Sequence, residues 1–205
     1  MASRTAAIGP PIGQAPGMLA IVQAFVNTLD IEQGTEELDS PAALDRWLAA
    51  AGLDGAGTRG AAAARPADLR RAIELREALR GVLRSHVTRA QPADAVRSLG
   101  RIAADVAARF DVGADGQIRL APAGTGTSAA LAGILLIAAD AGTDGTWRRL
   151  KACSADDCHW AFYDRSPTRN GSWCSMQLCG SRAKSRAYRE RAAASRAAVL
   201  GVGHG

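Results

Sequence analysis

The chain contains two short cysteine pairs, Cys153–Cys158 (CSADDC) and Cys174–Cys179 (CSMQLC), which organise its C-terminal part. Four residues separate the cysteines within each pair, and 15 residues separate the pairs. This spacing suits a tetrahedral zinc centre with four thiolates at about 2.3 Å from the metal. Lys151 and Arg182 flank the pairs and are expected to offset the negative charge of such a centre. The spacing therefore predicts one structural Zn²⁺ bound by Cys153, Cys158, Cys174 and Cys179.

Two disulfides, or four unpaired buried cysteines, are the alternatives to a zinc site. Near the N-terminus, Pro10, Pro11 and Pro16 interrupt the apolar core that a secretory signal needs, so no export is expected. The expected compartment is then a reducing cytoplasm, where paired cysteines more often bind metal than form disulfides. Four cysteine ligands leave no open metal position, and no activated nucleophile is apparent elsewhere. The sequence therefore predicts a protein that is not an enzyme.

The net charge of +5 is unevenly distributed along the 205 residues. Residues 1–144 contain 14 basic and 16 acidic side chains, whereas residues 145–205 contain 11 basic and 4 acidic ones. A near-neutral body followed by a strongly basic module points to a polyanionic partner for the module. The longest apolar run, Ala129–Ala139, is shorter than the roughly 20 residues that a membrane-spanning helix needs, so no membrane partner is expected.

Apolar periodicity predicts a multihelical N-terminal domain with one small β-hairpin. Ser40 followed by Pro41 indicates the N-cap and the first residue of a helix that Gly52 is expected to end. Ser128–Asp140 is apolar on nearly all sides and is expected to be a buried central helix. The other predicted elements are helices over residues 18–29, from Pro66 to His86 and over 93–110, and a hairpin over 111–120.

The cysteine module is predicted to combine a strand, a turn and a long basic helix. Trp160–Tyr163 is aromatic and β-prone, Asp164–Pro167 is expected to turn the chain, and Ser175 to about Val199 is rich in alanine and arginine. The predicted fold class is mainly α, with a multihelical domain followed by a small zinc-binding α+β module that ends in the long basic helix. The expected division is a flexible leader over residues 1–17, a helical domain over 18–145, the cysteine module over 146–200 and a tail over 201–205.

Three short motifs around the cysteines resemble the bacterial CGNR zinc finger. They are Phe162-Tyr163-Asp164, Trp173-Cys174-Ser175-Met176 and Cys179-Gly180-Ser181-Arg182-Ala183-Lys184. Ser181 stands where the name-giving tetrapeptide of the family has asparagine, and Gly171-Ser172 stands where the family often has two arginines. These departures leave the four predicted zinc ligands intact.

The N-terminal part resembles the helical ABATE domain that usually precedes this finger. The stretch Phe25-Val26-Asn27-Thr28-Leu29-Asp30 is similar to the opening of that domain, and Leu75-Arg76-Glu77-Ala78-Leu79 is similar to its central helix. Together the two resemblances cover the chain from Met18 to Arg191. They imply a stress-induced transcription regulator, which is how members of this family are described.

The helix after the last cysteine carries six cations that form the candidate nucleic-acid interface. Spacing places them on two helix faces, one with Arg182, Arg186, Arg189 and Arg196 and the other with Lys184 and Arg191. Arginine pairs with phosphates or bidentately with guanine, so these cations predict a salt-dependent contact with DNA. One finger with one helix rarely supplies enough contacts for specific binding, so a homodimer is expected. A solvated or protein-contacting helix is the alternative.

Two further groups of side chains are open to more than one interpretation. Asn27, Thr28 and Asp30 close the first predicted helix, either as a polar helix stop or as the binding site of a small-molecule effector. Trp173 and Tyr188 are expected to pack the finger rather than to stack on a base.

The resulting hypothesis is a cytoplasmic, two-domain, DNA-binding transcription regulator. Its N-terminal domain would sense a ligand or dimerise, and its zinc-stabilised module would bind DNA. One alternative is a protein–protein adaptor in which zinc only staples the fold. Another is a thiol-based redox sensor that releases zinc when its thiolates are oxidised.

Overall fold

The computed structural model describes residues 13–53 and 63–201, with side chains up to residue 195. Residues 1–12 of the predicted leader, the side chain of Arg196 and residues 202–205 of the predicted tail lie outside the described residues. The helices are α1 (Leu19–Val26), α2 (Pro41–Ala50), α3 (Pro66–Thr88), α4 (Ala93–Asp105), α5 (Gly126–Thr143) and α6 (Ser181–Gly201). Within the described residues, three antiparallel hairpins pair β1 (Leu29–Asp30) with β2 (Thr35–Glu36), β3 (Ala108–Val112) with β4 (Ile118–Pro122), and β5 (Leu150–Ala152) with β6 (Ala161–Tyr163). The predicted mainly α fold is confirmed.

Local hydrogen bonds and turn residues determine both ends of α2 and the C-terminal end of α1. Ser40 accepts a hydrogen bond from a backbone N–H of α2 over 3.2 Å, and Pro41 is the first helical residue, as predicted. Gly52 follows α2 with a φ of +68°, a left-handed conformation that favours glycine. α1 is shorter than predicted, because the Thr28 hydroxyl donates to the Phe25 carbonyl over 2.8 Å and the chain then enters β1.

The helix predicted over residues 93–110 is wrong in its C-terminal part. α4 ends at Asp105, and Phe110 lies in β3, which pairs with β4 from Ala108↔Pro122 to Val112↔Ile118. Residues 108–112 (ARFDV) alternate apolar and charged side chains over their last four positions, a period of two that is typical of a strand. The hairpin is therefore longer than the one predicted over residues 111–120.

α5 is the central apolar helix and extends beyond the predicted Ser128–Asp140 at both ends. Its Leu131 and Ile134 are fully buried, whereas residues 135–143 are mostly half-buried or exposed, with Ala141 as the buried exception. Within the described ranges, α5 is long and apolar enough to cross a membrane by length and composition alone, and 33% of it is buried inside the protein. The core helix of a globular protein passes the same test, so the absence of a membrane partner stays a prediction.

The main hydrophobic core joins the N-terminal helices to the cysteine module. Val22 of α1 and Leu75 and Leu79 of α3 share this core with Leu150 of β5 and Tyr163 of β6. β5 packs on α3 and β6 packs on α1, so the module is seated directly on the helices. The division predicted near residue 145 stays a prediction, because the core continues across this position.

Two buried arginines of α3 fix this packing. Arg76 donates to the two carboxylate oxygens of Glu36 over 2.6 and 2.8 Å. Arg80 donates to the carbonyl oxygens of Val26 over 2.7 Å and of His159 over 3.2 Å. Burial opposes the charge on Glu36, but the hydrogen bonds from Arg76 lower the pKa of its carboxyl. Because buried charges must be paired, these contacts set how α3 meets both the β1–β2 hairpin and the cysteine module.

The segment before α1 packs along β6. The Gly13 carbonyl accepts a hydrogen bond from the Tyr163 N–H over 2.6 Å, and the Ala15 N–H donates to the Gln23 side chain over 2.7 Å. Gly13 has a φ of +66°, and a Cβ there would lie 2.4 Å from the Tyr163 carbonyl oxygen. Gly13 and Ala15 of the predicted flexible leader are therefore held in place by β6 and α1, because the edge of β6 offers backbone groups that need partners.

Candidate metal centre and nucleic-acid interface

The four cysteines converge at the end of the β5–β6 hairpin. Cys153 follows β5 directly, and Cys158 lies in the turn that leads to β6. Cys174 precedes a π-helical turn, Met176–Gly180, which contains Cys179 and leads into α6. Free N–H groups and the helix dipole at such a position favour thiolates. The hairpin thus supplies two sulfur atoms, and the approach to α6 supplies the other two.

The separations between the sulfur atoms fit tetrahedral zinc. All four lie within 4.8 Å of one another, and 3.6 Å separates Cys174 Sγ from Cys158 Sγ and from Cys179 Sγ. Sulfur ligands at about 2.3 Å from a tetrahedral ion lie about 3.8 Å apart. Disulfide sulfurs lie about 2.05 Å apart, so the disulfide alternative is contradicted. No cysteine side chain is more than 7% exposed, and together they form a site for one buried, structural Zn²⁺.

The thiols need a cation if all four are to ionise. Hydrogen bonds from Cys158 and Cys174 lower the pKa of the Cys153 thiol to about 4. Hydrogen bonding with Cys153 and Cys158, together with burial, raises the pKa of the Cys174 thiol. One thiolate, at Cys153, is thus stabilised by hydrogen bonds from the remaining thiols, whereas repulsion between negative charges opposes ionisation of the others. When bound, Zn²⁺ supplies the positive charge that makes four thiolates stable here.

Aromatic side chains shield the cysteine cluster from water. Phe162 is buried against the cysteines, and Trp160 and Trp173 pack beside them. Side chains alternate along β6, so Tyr163 points the other way and joins the main core. The prediction that Trp173 packs the finger is confirmed.

Lys151 does not offset the charge of the metal site, contrary to expectation. Its ammonium donates to the Asp164 carboxylate over 2.7 Å and to the carbonyl oxygens of Arg169 and Gly171 over 2.7 and 3.1 Å. Burial opposes the charge on Asp164, but hydrogen bonds from Lys151 and Ser166 hold the pKa of its carboxyl well below the usual range. This buried pair shapes the loop that leads to Cys174, a role that sequence reasoning missed.

Arg182 is the cation that contacts the metal site. Its guanidinium donates to Cys179 Sγ over 3.2 Å and to the Glu32 carboxylate oxygens over 2.8 and 3.1 Å, and it lies 3.5 Å from Asp157. Hydrogen bonds to Glu32 and Cys179 raise the pKa of the Arg182 guanidinium. The expected offset of thiolate charge by Arg182 agrees with this contact. Its acidic partners were missed, because they are distant in sequence or lie inside the first cysteine pair.

The other cations of α6 divide between two surroundings. Arg186 lies 4.0 Å from Asp156 and lines, with Arg182, a cleft of about 230 Å³ beside the first cysteine pair. Three further cations are exposed, and within the described ranges they form no ion pair with a carboxylate. These three open cations are Lys184, Arg189 and Arg191.

Tyr188 lies among the open cations and not in a core. It is 69% exposed, so the expectation that it packs the finger is wrong. Lys184, Tyr188 and Arg191 are spaced by four and three residues, which places them along one face of α6. An exposed ring between cations is suited to stack on a base while its neighbours contact phosphates.

Asn27, Thr28 and Asp30 have partners within the protein. The Asn27 amide donates to the Ala161 carbonyl over 3.0 Å and accepts from the Ala161 N–H over 2.7 Å, so it pairs with β6 as a strand residue would. The Thr28 hydroxyl accepts a hydrogen bond from Arg76 over 3.1 Å, and an Asp30 carboxylate oxygen accepts one from the backbone of the β1–β2 turn over 3.0 Å. The bond from Thr28 to the Phe25 carbonyl ends α1, whereas the contacts with Ala161 and Arg76 join this end of α1 to β6 and α3. Binding of an effector stays a prediction.

Two family models match this chain. The ABATE model, described as "Putative stress-induced transcription regulator", matches residues 19–145. The CGNR zinc finger model matches residues 149–192, which include the four cysteines and the first part of α6. Comparison with curated proteins gives no match. These are families of regulators and zinc fingers and not of enzymes. The chain therefore belongs to the ABATE family and carries a CGNR zinc finger after its ABATE domain.

Proposed function

We propose that the chain is a DNA-binding transcription regulator whose CGNR finger holds α6 against the nucleic acid. One observation carries the proposal, namely that Lys184, Tyr188, Arg189 and Arg191 are exposed on a helix whose first turn is anchored at the metal site. The description of the ABATE family as transcription regulators supports the same class. A reducing cytoplasm, the proposed compartment, would keep the four thiolates available for zinc.

The metal site serves this function by fixing where α6 begins. Cys179 lies two residues before the start of α6, and Arg182 of its first turn touches the Cys179 sulfur. From residue 184 to residue 191 every side chain is exposed. A helix anchored at one end and otherwise exposed fits the major groove of B-DNA, which is about 12 Å wide. Ala187, near the middle of this stretch, keeps the helix slim enough for a close approach.

Charge supports a phosphate-contacting role for the open cations. Residues 181–195 contain five basic side chains and one acidic one, Glu190. Two of the five, Arg182 and Arg186, lie beside carboxylates of the protein, so they have less positive charge to offer to DNA. Lys184, Arg189 and Arg191 are the cations that we assign to phosphate contacts. Tyr188 is assigned to a base or a sugar next to them.

A single α6 contacts only a short stretch of duplex, so specific recognition is proposed to use a homodimer. The ABATE domain would then supply the dimer contact. The polar groups of Asn27, Thr28 and Asp30 already have protein partners, which favours dimerisation over effector binding at that position.

The test is binding of a fluorescein-labelled, mixed-sequence DNA duplex of about two helical turns, measured by anisotropy at low salt. Lys184→Ala/Arg189→Ala/Arg191→Ala is expected to weaken binding by at least tenfold. The matched control, Arg46→Ala/Arg70→Ala/Arg97→Ala, removes the same charge from exposed positions on α2, α3 and α4 and is expected to bind like the unmodified protein. Equal weakening by both variants, or no binding by the unmodified protein, would refute the proposal. The second result would favour the adaptor alternative.

A further inference from the structure

The β3–β4 hairpin presents an apolar face to solvent. Phe110, Val112, Ile118 and Leu120 are 76%, 65%, 68% and 56% exposed. Phe110 lies opposite Leu120, and Val112 lies opposite Ile118, so all four side chains project from the same face of the hairpin. β4 packs against α5, where Pro122 lies near Gly133. No described part of the chain covers the four apolar side chains.

The area of this face is close to what a stable dimer requires. At these exposures, four large apolar side chains present about 400–500 Å². A standard interface buries about 800 Å² per partner, and about 65% of a homodimer interface is apolar. The hairpin face alone therefore approaches the apolar area of one such interface. Isolated two-stranded hairpins are only marginally stable in water, so a covering partner also stabilises the hairpin itself.

The charges of the hairpin favour a second copy over a charged partner. Residues 108–122 carry two basic and two acidic side chains, although the whole chain carries a net charge of +5. Arg109 lies 3.3 Å from Asp111, and Arg119 lies 3.2 Å from Asp115, so each charge is already neutralised within the hairpin. Two copies of this surface therefore meet without net repulsion, whereas a polyanion or an anionic membrane finds no excess of positive charge.

We propose that this hairpin face, formed by Phe110, Val112, Ile118 and Leu120, is the surface through which two copies of the chain dimerise. A two-fold axis pairs a surface with itself, as in most homodimers. We expect the two hairpins to lie antiparallel to each other across this axis. Phe110 and Leu120, the larger pair, then lie over the β-branched pair of the other copy, Val112 and Ile118. Large side chains then fill the space above smaller ones at both ends of the interface.

The proposed dimer contact is inferred from the surface of the hairpin alone and forms without DNA. Its use, to bring two copies of α6 to one duplex, rests on the proposed function. Dimerisation and DNA binding can be refuted independently of each other. Oligomeric state is measured without nucleic acid, and DNA binding is measured with α6 variants that keep the hairpin.

The test is the mass of the full-length, zinc-loaded protein by light scattering across a micromolar dilution series. The unmodified protein is expected to be a dimer, and Phe110→Asp to dissociate at least 30-fold more readily, since a large aromatic side chain that becomes buried on association is a typical interface hot spot. Ile118→Asp provides a second disruption at the other end of the face. Because both side chains are mostly exposed, each variant should keep its zinc content and helical circular dichroism.

The matched control is Arg119→Ala, on the opposite face of the same hairpin, which is expected to remain a dimer. A monomeric unmodified protein would overturn the proposal. Dimers that persist in both Phe110→Asp and Ile118→Asp would also overturn it, because the contact would then lie elsewhere on the chain.

Discussion

Arg182, in the first turn of α6, forms a two-point ion pair with Glu32, in the turn between β1 and β2, over 2.8 and 3.1 Å. The same guanidinium donates to the Cys179 sulfur, so one side chain links the ABATE domain, the metal site and the basic helix. The two side chains are 40% and 30% exposed, and an ion pair this accessible contributes at most about 1 kcal/mol to stability. The main consequence of the ion pair is that the Arg182 guanidinium already has partners in the protein and is less available to a DNA phosphate.

Because Arg182 is paired with Glu32 and Arg191 is not paired with a carboxylate of the described residues, substitution of each by alanine is expected to affect DNA binding unequally. We expect Arg191→Ala to weaken binding of duplex DNA by roughly fivefold, a loss typical of one charge-assisted contact. Arg182→Ala, which removes the same charge, should weaken binding by less than about twofold. Fluorescence anisotropy at one low salt concentration compares them. A loss for Arg182→Ala as large as that for Arg191→Ala would show that the Glu32 pair opens on DNA.

Gly13 is predicted to be intolerant of a side chain despite its place in an N-terminal segment. Gly13→Ala should lower the free energy of unfolding by about 2 kcal/mol or more, because the left-handed φ is strained and the new Cβ meets the Tyr163 carbonyl. Gly17→Ala is the control, since Gly17 also has a positive φ but has open space around it. It should cost only about 1 kcal/mol. Urea denaturation measures both, and equal costs would contradict the close approach of residue 13 to β6.

Removal of zinc is expected to loosen the ABATE helices as well as the finger. Two of the metal ligands, Cys153 and Cys158, lie between β5 and β6, and these strands share a core with α1 and α3. Disorder of the strands would therefore expose Leu75 and Val22. Hydrogen exchange with a chelator should show loss of protection in α1 and α3 together with the cysteine module. Cys174→Ser should reproduce this pattern without a chelator. Loss of protection confined to residues 150–192 would contradict the shared core.

His86 predicts a specific dependence of stability on pH. Its Nδ1 lies 2.8 Å from the Leu150 carbonyl oxygen, so Nδ1–H donates and ties α3 to β5. Burial lowers the pKa of His86 below the ordinary 6.5. The unfolded chain therefore takes up the proton first, and stability is lost as the pH falls below about 6.5, by at most about 1.4 kcal/mol per pH unit.

His86→Gln retains a donor for Leu150 but does not titrate. Its free energy of unfolding is expected to fall less steeply than that of the unmodified protein between pH 7 and pH 5.5. Protonation of the cysteine ligands affects both proteins alike, so it cancels when the free energy of unfolding of one protein is subtracted from that of the other at each pH. Parallel pH profiles would show that His86 is not held neutral by the fold.

Local sequence patterns predicted those features whose chemistry is local. The spacing of the cysteines predicted the metal site, and Ser40 with Pro41 predicted the start of α2, because caps and ligand spacings act over a few residues. The partners of Arg182 and Lys151 were missed, since Glu32 and Asp164 reach them only through the tertiary fold. The apolar residues before Phe110 fit a helical period and predict a helix there, although the alternation in residues 108–112 also indicates the strand that the structure has.

The central claim, that α6 contacts DNA phosphates through its three open cations, is tested most directly by the salt dependence of binding. For each phosphate contact, the logarithm of the binding constant falls with a slope of about 0.9 against the logarithm of salt concentration. Lys184→Ala/Arg189→Ala/Arg191→Ala should therefore reduce the slope by about 2.7, while the control with substitutions at Arg46, Arg70 and Arg97 keeps the original slope. Identical slopes for the two variants would contradict the account, because the exposed cations of α6 would then not be the groups that meet DNA.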